Sequence, residues 1–235
     1  MEAPPLRYLW FFLILLLALA ADFGGLLAAL FLGMAFIPAL LYLNWFRNFE
    51  KHDPEPWGAL YQAFFWGAIT GVIAAGIINS IFIVFVMLAA GVVVAEIVGA
   101  IIIAPFVEEF LKPVGIIRGG VRKEVDEVED GLIYGAACGL GFAATENLVY
   151  GWSVVSEGVA VTAAVIIMRT FSSTLVHASA TAFTGHGLSR YLVHGDSRMT
   201  VLRYYLAAVG LHAFWNGMMT LGSYDFLPGI GFLFA

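Results

Sequence analysis

The feature that most constrains this chain is a succession of apolar stretches, several of which exceed the ~18–20 residues that cross a bilayer as a helix. Hydrophobic residues make up 61% of the sequence and charged residues only 12%. The chain is therefore predicted to be all-α, a polytopic helix bundle that is integral to the cell membrane, crosses it several times and is surrounded by the lipid bilayer.

About seven transmembrane helices are predicted, forming a single transmembrane domain over residues 1–235. They cover residues 9–21, 26–46, 58–88, 92–117, 131–152, 159–189 and 201–221. A break is placed near residues 89–91, because residues 59–117 are too long for one span. The apolar tail 226–235 is too short to span. Residues 9–21 also resemble a signal peptide. We reject that interpretation, because they run straight into another apolar segment.

The basic residues indicate the orientation of the helices, because lysine and arginine favour the cytoplasmic side of a membrane. They fall at the amino terminus and in alternate loops: Arg7, Arg47, Lys51, Arg118, Arg122, Lys123, Arg190, Arg198 and Arg203. The opposite loops, around Asp22, Ala90 and Glu157, contain no lysine or arginine. The amino terminus is therefore predicted to be cytoplasmic. Lys112 and Arg169 fall within predicted spans, and Arg169 is expected at the outer interface, with its side chain reaching the headgroups.

Charge and cysteine content exclude other classes. The net charge of −6 argues against a nucleic-acid partner, although in a membrane chain the positions of the charges matter more. The single cysteine, Cys138, excludes an intramolecular disulfide and a cysteine-rich zinc site. The acidic run at residues 123–130 is interpreted as a solvated connection without a catalytic role.

Two adjacent carboxylates, Glu108 and Glu109, lie within the fourth predicted helix, with Lys112 close behind them. Ionised carboxylates are costly in hydrocarbon, so such residues line a wet cavity, find a partner or take part in chemistry. Glu108 and Lys112 are four residues apart and can pair on one helix face. Glu109 points ~100° away and needs a different partner.

Further polar side chains lie at similar depths in the later helices: Glu146, His177, His212 and Asn216. Each alone has a structural explanation, as a hydrogen-bonded histidine or a neutral acid. Together with Glu108 and Glu109 they predict one polar site, built by helices within residues 92–222. His186 and His194 lie near or beyond the cytoplasmic end of the sixth helix and are expected to be solvated.

These residue types suit hydrolysis. His212 and Asn216 share a helix face and can donate to one oxygen, as an oxyanion site requires. A buried glutamate can take a proton from water and return it to a leaving amine. The sequence lacks G-x-S-x-G, H-E-x-x-H and Gly-x-Gly-Asp motifs, which disfavours serine, zincin and intramembrane aspartyl types. No cofactor is favoured, but zinc stays possible, with Glu109, His177 and His212 as its ligands.

In order along the chain, these motifs resemble the PrsW membrane proteases, which are related to the CAAX prenyl protease and bacteriocin-processing superfamily. The resemblance covers roughly residues 40–222. Its motifs are Glu108-Glu109-x-x-Lys112, Phe142-x-x-x-Glu146-Asn147 with Tyr150, His177, His212-x-x-x-Asn216, Asp53-Pro54-Glu55-Pro56-Trp57 and Asp130-Gly131-Leu132-Ile133-Tyr134-Gly135.

The resemblance implies an intramembrane endopeptidase that cuts a membrane-anchored protein, for example an anti-sigma factor in regulated proteolysis. It implies Glu108 as general base, with Glu109 and His177 supporting water or substrate. His212 and Asn216 would form the oxyanion site, with Lys112, Phe142 and Asn147 in supporting positions. Glu146 stands where the CAAX proteases usually carry a histidine, and His177 begins a His-x-x-x-Thr181 pattern.

Two other functions compete with proteolysis. A proton- or cation-coupled transporter also uses intramembrane carboxylates, although transporters more often show two related halves and no internal repeat is seen here. A scaffold could bind peptides without cutting them.

Overall fold

The computed structural model describes residues 6–49 and 54–223, and over these ranges the chain is helical and contains no strand. Asp53 and the apolar tail 226–235, both part of the sequence-based predictions, lie outside the described residues. The helices are α1 Leu6–Phe23, α2 Gly25–Arg47, α3 Trp57–Ala90, α4 Val92–Val98, α5 Ala104–Leu111, α6 Val121–Glu124, α7 Asp130–Ser153, α8 Val159–Phe171, α9 Ser173–Val193 and α10 Arg198–Ser223.

Four helical segments in the described ranges are long and apolar enough to cross a membrane: α2, α3, α7 and the combined α8–α9 segment, Val159–Val193. The all-helical prediction is therefore confirmed. The break predicted near residues 89–91 is also confirmed, because Gly91 separates α3 from α4 with φ 88°, a value that favours glycine.

One predicted helix is divided. Residues 159–189 were expected to form a continuous helix, but α8 ends at Phe171 and α9 begins at Ser173. Ser172 adopts φ −117° and ψ −80°, outside the helical region. Its hydroxyl donates to the Met168 carbonyl at 2.7 Å, a local bond that competes with the helical pattern.

Helix α7 is the centre of the bundle and packs against α2, α3, α8 and α9. Its glycines allow very close approach on two faces. A Cβ at Gly141 would lie 1.8 Å from the Phe64 carbonyl oxygen of α3, and a Cβ at Gly139 would lie 2.4 Å from the His177 carbonyl oxygen of α9. Small residues at helix contacts are typical of packing inside membranes. The close contact at Gly139 fixes the height of His177.

The helix that carries the acidic pair, Glu108 and Glu109, has irregular turns on both sides. A π-helical turn, Gly99–Ile103, joins α4 to α5, and a 3-10 turn, Lys112–Gly115, follows α5. π-Helical turns inside helices are frequent at functional sites. The fourth predicted helix is therefore helical through both acids, but it tightens at Lys112, which turns the lysine toward α7 and α9.

Two of the motifs that carry the resemblance have structural contacts at the end of the bundle with the basic loops. The Tyr134 hydroxyl donates to the buried Glu55 carboxylate. Asp130 Oδ2 accepts from the backbone N–H groups of Asp126 and Glu127 at 2.9 and 2.7 Å. These bonds attach the loop before α3 and the acidic run to the start of α7.

Candidate active site

Lys112 lies at the centre of the polar cluster and is completely buried. Its ammonium nitrogen is 2.7 Å from Glu109 Oε1, 3.3 Å from Glu108 Oε2 and 2.7 Å from His177 Nδ1. It also lies 4.2 Å from the centre of the Phe142 ring. One cation therefore joins both acids of α5 to the histidine of α9 and the aromatic ring of α7.

Glu109 is fully engaged. Its Oε1 is 2.9 Å from His212 Nδ1 as well as close to Lys112, and its Oε2 accepts from the Thr181 hydroxyl at 2.9 Å. A carboxylate with this many donors is well compensated for its burial. Glu109 is thus built to hold other groups in place.

Glu108 differs from its neighbour. Its Oε1 accepts from Asn79 Nδ2 at 3.3 Å. Its Oε2 is buried and has no hydrogen-bond partner in the part of the chain that the structure describes. That oxygen faces Lys112 and lies 4.0 Å from His212 Nε2. Glu108 therefore carries the one carboxylate oxygen of the acidic pair with capacity to bind another group.

Glu146 and Arg169 extend the cluster toward the end of the bundle where the α7–α8 loop lies. Glu146 Oε2 is 2.9 Å from His177 Nε2 and accepts from Arg169 at 2.6 Å. The prediction that Arg169 reaches the headgroups is therefore wrong. Arg169 lies beside α7 instead, where its guanidinium also donates to Asn147 Oδ1 at 3.1 Å.

The contacts of the two histidines define their tautomers. Lys112 has only N–H donors, so His177 Nδ1 is the acceptor and its Nε2–H donates to Glu146. Glu109 accepts the Nδ1–H of His212, so in the neutral ring Nε2 is an acceptor that faces Glu108. The two rings are 4.7 Å apart and nearly perpendicular. The imidazoles and acids of α5, α7, α9 and α10 therefore meet in one cluster.

Asn216 lies on the same side of α10 but one turn further along. One of its amide hydrogens is donated to the Ala100 carbonyl at 2.9 Å. The side chain lines the same cavity as Glu108. The oxyanion role predicted for Asn216 and His212 stays a prediction.

Two cavities meet the cluster from opposite ends of the bundle. The first, with a volume of about 290 Å³, contains the polar side chains of Asn79, Glu108, Glu146, Tyr150, Arg169 and Asn216. The second, of about 470 Å³, is mostly apolar and reaches Glu109 from the end where Arg198 lies. Of these two cavities between described residues, the first offers Glu108 polar surroundings for water or a peptide group.

The sequence did not single out Asn79, which contacts Glu108 as a lone amide in an apolar run. His186 was expected to be solvated, but its ring packs against Tyr204 at 5.0 Å and its Nδ1 is buried. His194 is exposed, as expected.

The cluster contains the types of side chain that bind a metal ion. Glu108, His177 and His212 each offer one ligand atom, and these atoms lie within 4.8 Å of one another. Two histidines and a glutamate are a known catalytic zinc set. The sequence-based set contained Glu109, whereas Glu109 here supports His212 from behind, as carboxylates do for metal-binding histidines. To expose a lone pair for a metal, His177 Nδ1 must exchange its contact with Lys112.

Helices long enough to cross a bilayer, with a buried acid–imidazole cluster between them, define an integral membrane protein with a built polar site. A sequence model described as PrsW family intramembrane metalloprotease matches residues 55–235. The chain belongs to this family, which confirms the resemblance seen in the motifs.

Two curated relatives support the assignment. The chain is 30% identical over 166 residues to Protease PrsW of Clostridioides difficile (strain 630), covering 69% of this chain and 66% of that one. It is 29% identical over 114 residues to Protease PrsW of Geobacillus kaustophilus (strain HTA426), covering 48% of each. The alignments thus span about half to two thirds of these relatives. No solved structure matches. The family assignment does not favour the transporter alternative.

Proposed function

We propose that this protein is an intramembrane endopeptidase that hydrolyses a peptide bond in a membrane-anchored protein substrate, with Glu108 as the general base. One observation carries the proposal: Glu108 lines a polar cavity in a PrsW-family chain, and its Oε2, ion-paired with Lys112 at 3.3 Å, has no hydrogen-bond partner among the described residues. General bases must reach the water whose proton they take, and the Glu108 side chain lines the cavity where that water would lie.

In the proposed reaction Glu108 takes a proton from a water molecule in the polar cavity. The resulting hydroxide attacks the scissile carbonyl carbon, and the carbonyl oxygen becomes an oxyanion. When the tetrahedral intermediate collapses, the C–N bond breaks and Glu108 returns the proton to the leaving amine. The second amide hydrogen of Asn216 and, once Nε2 carries a proton, His212 are the proposed oxyanion donors.

The remaining residues hold this arrangement. Glu109 orients the His212 ring through Nδ1, and Thr181 in turn orients Glu109. Lys112 offsets the charge of both acids, and Phe142 covers one side of the lysine. Asn147 supports Arg169 and donates to the Thr174 hydroxyl at 2.9 Å.

We favour a glutamate-based reaction, because both nitrogens of His177 already have partners, Lys112 and Glu146. Should zinc bind, Glu108, His177 and His212 would hold it. A zinc ion held there would act as a Lewis acid toward water and the scissile carbonyl.

The position of the polar cavity indicates on which side of the membrane the proposed reaction takes place. We propose seven spans with a cytoplasmic amino terminus, as the basic residues predict. In that topology the cavity lies in the outer half of the membrane, because its lining includes the ends of α3 and α7 that meet the loops without lysine or arginine. A single-pass protein with a folded outer domain, such as an anti-sigma factor, is the substrate class that suits this side.

The test uses purified protein reconstituted in liposomes with a library of single-pass membrane proteins tagged at both ends. Wild type is expected to produce discrete fragments, and Glu108→Gln is expected to lower their rate of formation by at least about 100-fold, since general bases contribute 10²–10⁴-fold. Glu96→Gln is the matched control, because Glu96 is an exposed acid of α4 that is not among the residues lining the polar cavity.

Fragments formed at the same rate by wild type and Glu108→Gln would refute the proposed role of Glu108. Capture of a tagged protein without fragments in any sample would favour a peptide-binding scaffold. A chelator in the same assay separates the two catalytic types: unchanged cleavage supports the glutamate reaction, and lost cleavage restored by zinc supports the metal.

A further inference from the structure

Arg169 is the most extensively bonded group around the cluster that no function assigned above uses. Its Nη2 donates to Glu146 Oε2 at 2.6 Å and to the Ser173 hydroxyl at 3.3 Å, and its Nε donates to Asn147 Oδ1 at 3.1 Å. The guanidinium carbon lies 3.6 Å from the centre of the Tyr150 ring. Two side chains of α7, one of α9 and an aromatic face therefore determine its position.

Glu146 links Arg169 to the candidate catalytic residues. The oxygen that accepts from Arg169, Oε2, is also the one 2.9 Å from His177 Nε2. His177 Nδ1 is in turn 2.7 Å from Lys112, whose ammonium group contacts both acids of α5. The contacts thus run without a gap from Arg169 through Glu146 and His177 to Lys112.

We propose that Arg169 is a positioning residue: it holds Glu146 where that carboxylate accepts the Nε2–H of His177, and so keeps His177 Nδ1 directed at Lys112. The inference rests on the proposed peptidase function for its kinetic consequence, but the ring orientation it requires can be measured without activity. Arg169 does not touch the reacting atoms in this role.

Shape as well as charge matters at this position. Arginine presents donors in a rigid planar fork and stacks on aromatic faces, whereas lysine is a point charge on a flexible stem. Here the fork spans Glu146 and Asn147, while the guanidinium carbon lies over the Tyr150 ring. Lysine is therefore expected to keep the charge but not the simultaneous contacts.

The Arg169–Glu146 ion pair is partly buried and therefore differs from an ion pair on the surface. The side chains of Arg169 and Glu146 are each 18% exposed and line the polar cavity. Without Arg169, Glu146 would keep only His177 as a partner among the described contacts and would be free to turn toward the cavity. His177 would then lose the acceptor that fixes its Nε2–H.

The kinetic test compares wild type with Arg169→Gln, Arg169→Lys and Arg169→Ala on a substrate that wild type cleaves. Arg169→Gln is expected to lower kcat by about 10–100-fold, the range seen when groups that orient metal-binding residues are removed, with KM little changed. Arg169→Lys should recover only a small part of the loss. Added guanidinium should restore Arg169→Ala, since the cavity of about 290 Å³ has room for the ion.

Two controls make the result specific. Arg190→Gln removes an arginine that pairs with Asp196 at 2.7 Å outside the cluster, and it should leave kcat unchanged and insensitive to guanidinium. In a Glu146→Ala background, Arg169→Gln should cost nothing further, because residues that act in series are not additive. Full additivity, or an unchanged kcat in Arg169→Gln, would overturn the proposal while leaving the peptidase function intact.

The second readout is the ¹⁵N NMR spectrum of labelled histidine, with His177 assigned through His177→Ala. Wild type should show His177 protonated at Nε2, and Arg169→Gln should show a mixture of ring states. An unchanged His177 spectrum in Arg169→Gln would contradict the proposal even if no substrate were found. Failure of wild type to cut any substrate, with the expected spectral change, would refute only the peptidase function.

Discussion

Lys112 shows how a single residue can determine the arrangement of a buried site. Its ammonium group is 0% exposed and contacts both acids of α5 and the His177 ring of α9. Breaking a buried ion pair by removing one partner leaves an uncompensated charge, which costs far more than a surface pair. The lysine therefore contributes to stability as well as to the proposed chemistry.

We expect Lys112→Met to destabilise the protein by about 3–5 kcal/mol, because two buried carboxylates lose their shared cation. For a chain of this size that corresponds to a fall of roughly 6–20 °C in the unfolding midpoint in detergent. Lys123→Met, at an exposed position of α6, is the matched control and should melt like wild type. Adding Glu109→Gln to Lys112→Met should recover part of the loss. Equal melting of Lys112→Met and wild type would show that the acids find compensation elsewhere.

The spacing of residues predicted which side chains belong to the site but not which partner each one takes. Glu108 and Lys112 are four apart and pair as expected, yet Glu109, three residues before the lysine, approaches it more closely, at 2.7 Å against 3.3 Å. The tightening of the chain into a 3-10 turn at Lys112 explains this, and a regular helical repeat does not contain it. Pairing across helices depends on packing, which one sequence does not reveal.

At the level of elements, the contact between α7 and α9 sets the height at which the cluster forms. The two backbones approach so closely that a Cβ at Gly139 would lie 2.4 Å from the His177 carbonyl oxygen and 2.8 Å from the Ala178 Cα. Both are fixed backbone atoms, so they cannot rotate away as a flexible side chain could. Any added atom there must move α9, and His177 with it.

Gly139→Ala is therefore expected to destabilise the bundle by about 1–3 kcal/mol, the usual cost of overpacking, and to reduce cleavage strongly. Unfolding in detergent and cleavage in liposomes measure the two effects. Gly76→Ala serves as the control, because a Cβ at Gly76 meets open space on α3. Normal cleavage by Gly139→Ala would mean that the position of His177 is not critical.

The positions of the helices could largely be predicted, because apolar runs of membrane length leave few alternatives. The break at Gly91 could also be predicted, because the apolar run over residues 59–117 is too long for one span. The break at Ser172 was not, because neither glycine nor proline marks it in the sequence. The wrong placement of Arg169 has another origin: depth along a helix locates the Cα, and the long side chain reaches Glu146 instead of the headgroups.

For the whole molecule, the proposed topology assigns the loops to opposite sides of the membrane. The loop between α7 and α8 contains no lysine or arginine, whereas the residues around the α9–α10 loop include Arg190 and Arg198. Positively charged loops stay on the cytoplasmic side, so these two loops should differ in their access to external reagents.

Single cysteines test this assignment, since the native Cys138 is fully buried and should stay unlabelled. In intact cells, Ser156→Cys in the α7–α8 loop is expected to react with a membrane-impermeant maleimide, and Ser197→Cys in the α9–α10 loop is expected not to react. Both positions are exposed, so both should label after the membrane is permeabilised. The reverse pattern in intact cells would invert the proposed orientation.

The two cavities on either side of the cluster differ in a way that matters to the cell. The polar one reaches Glu108 from one end of the bundle, while the mostly apolar one ends at Glu109, whose oxygens are already bonded and which is 0% exposed. A protein that hydrolyses bonds inside a bilayer must admit water partway through the membrane. It must do so without letting ions leak across and dissipate the gradients that the membrane maintains. The packed layer of Glu109, Lys112 and His212 would keep water in the polar cavity from reaching the cavity at the other end of the bundle. No continuous path for ions would then cross the membrane.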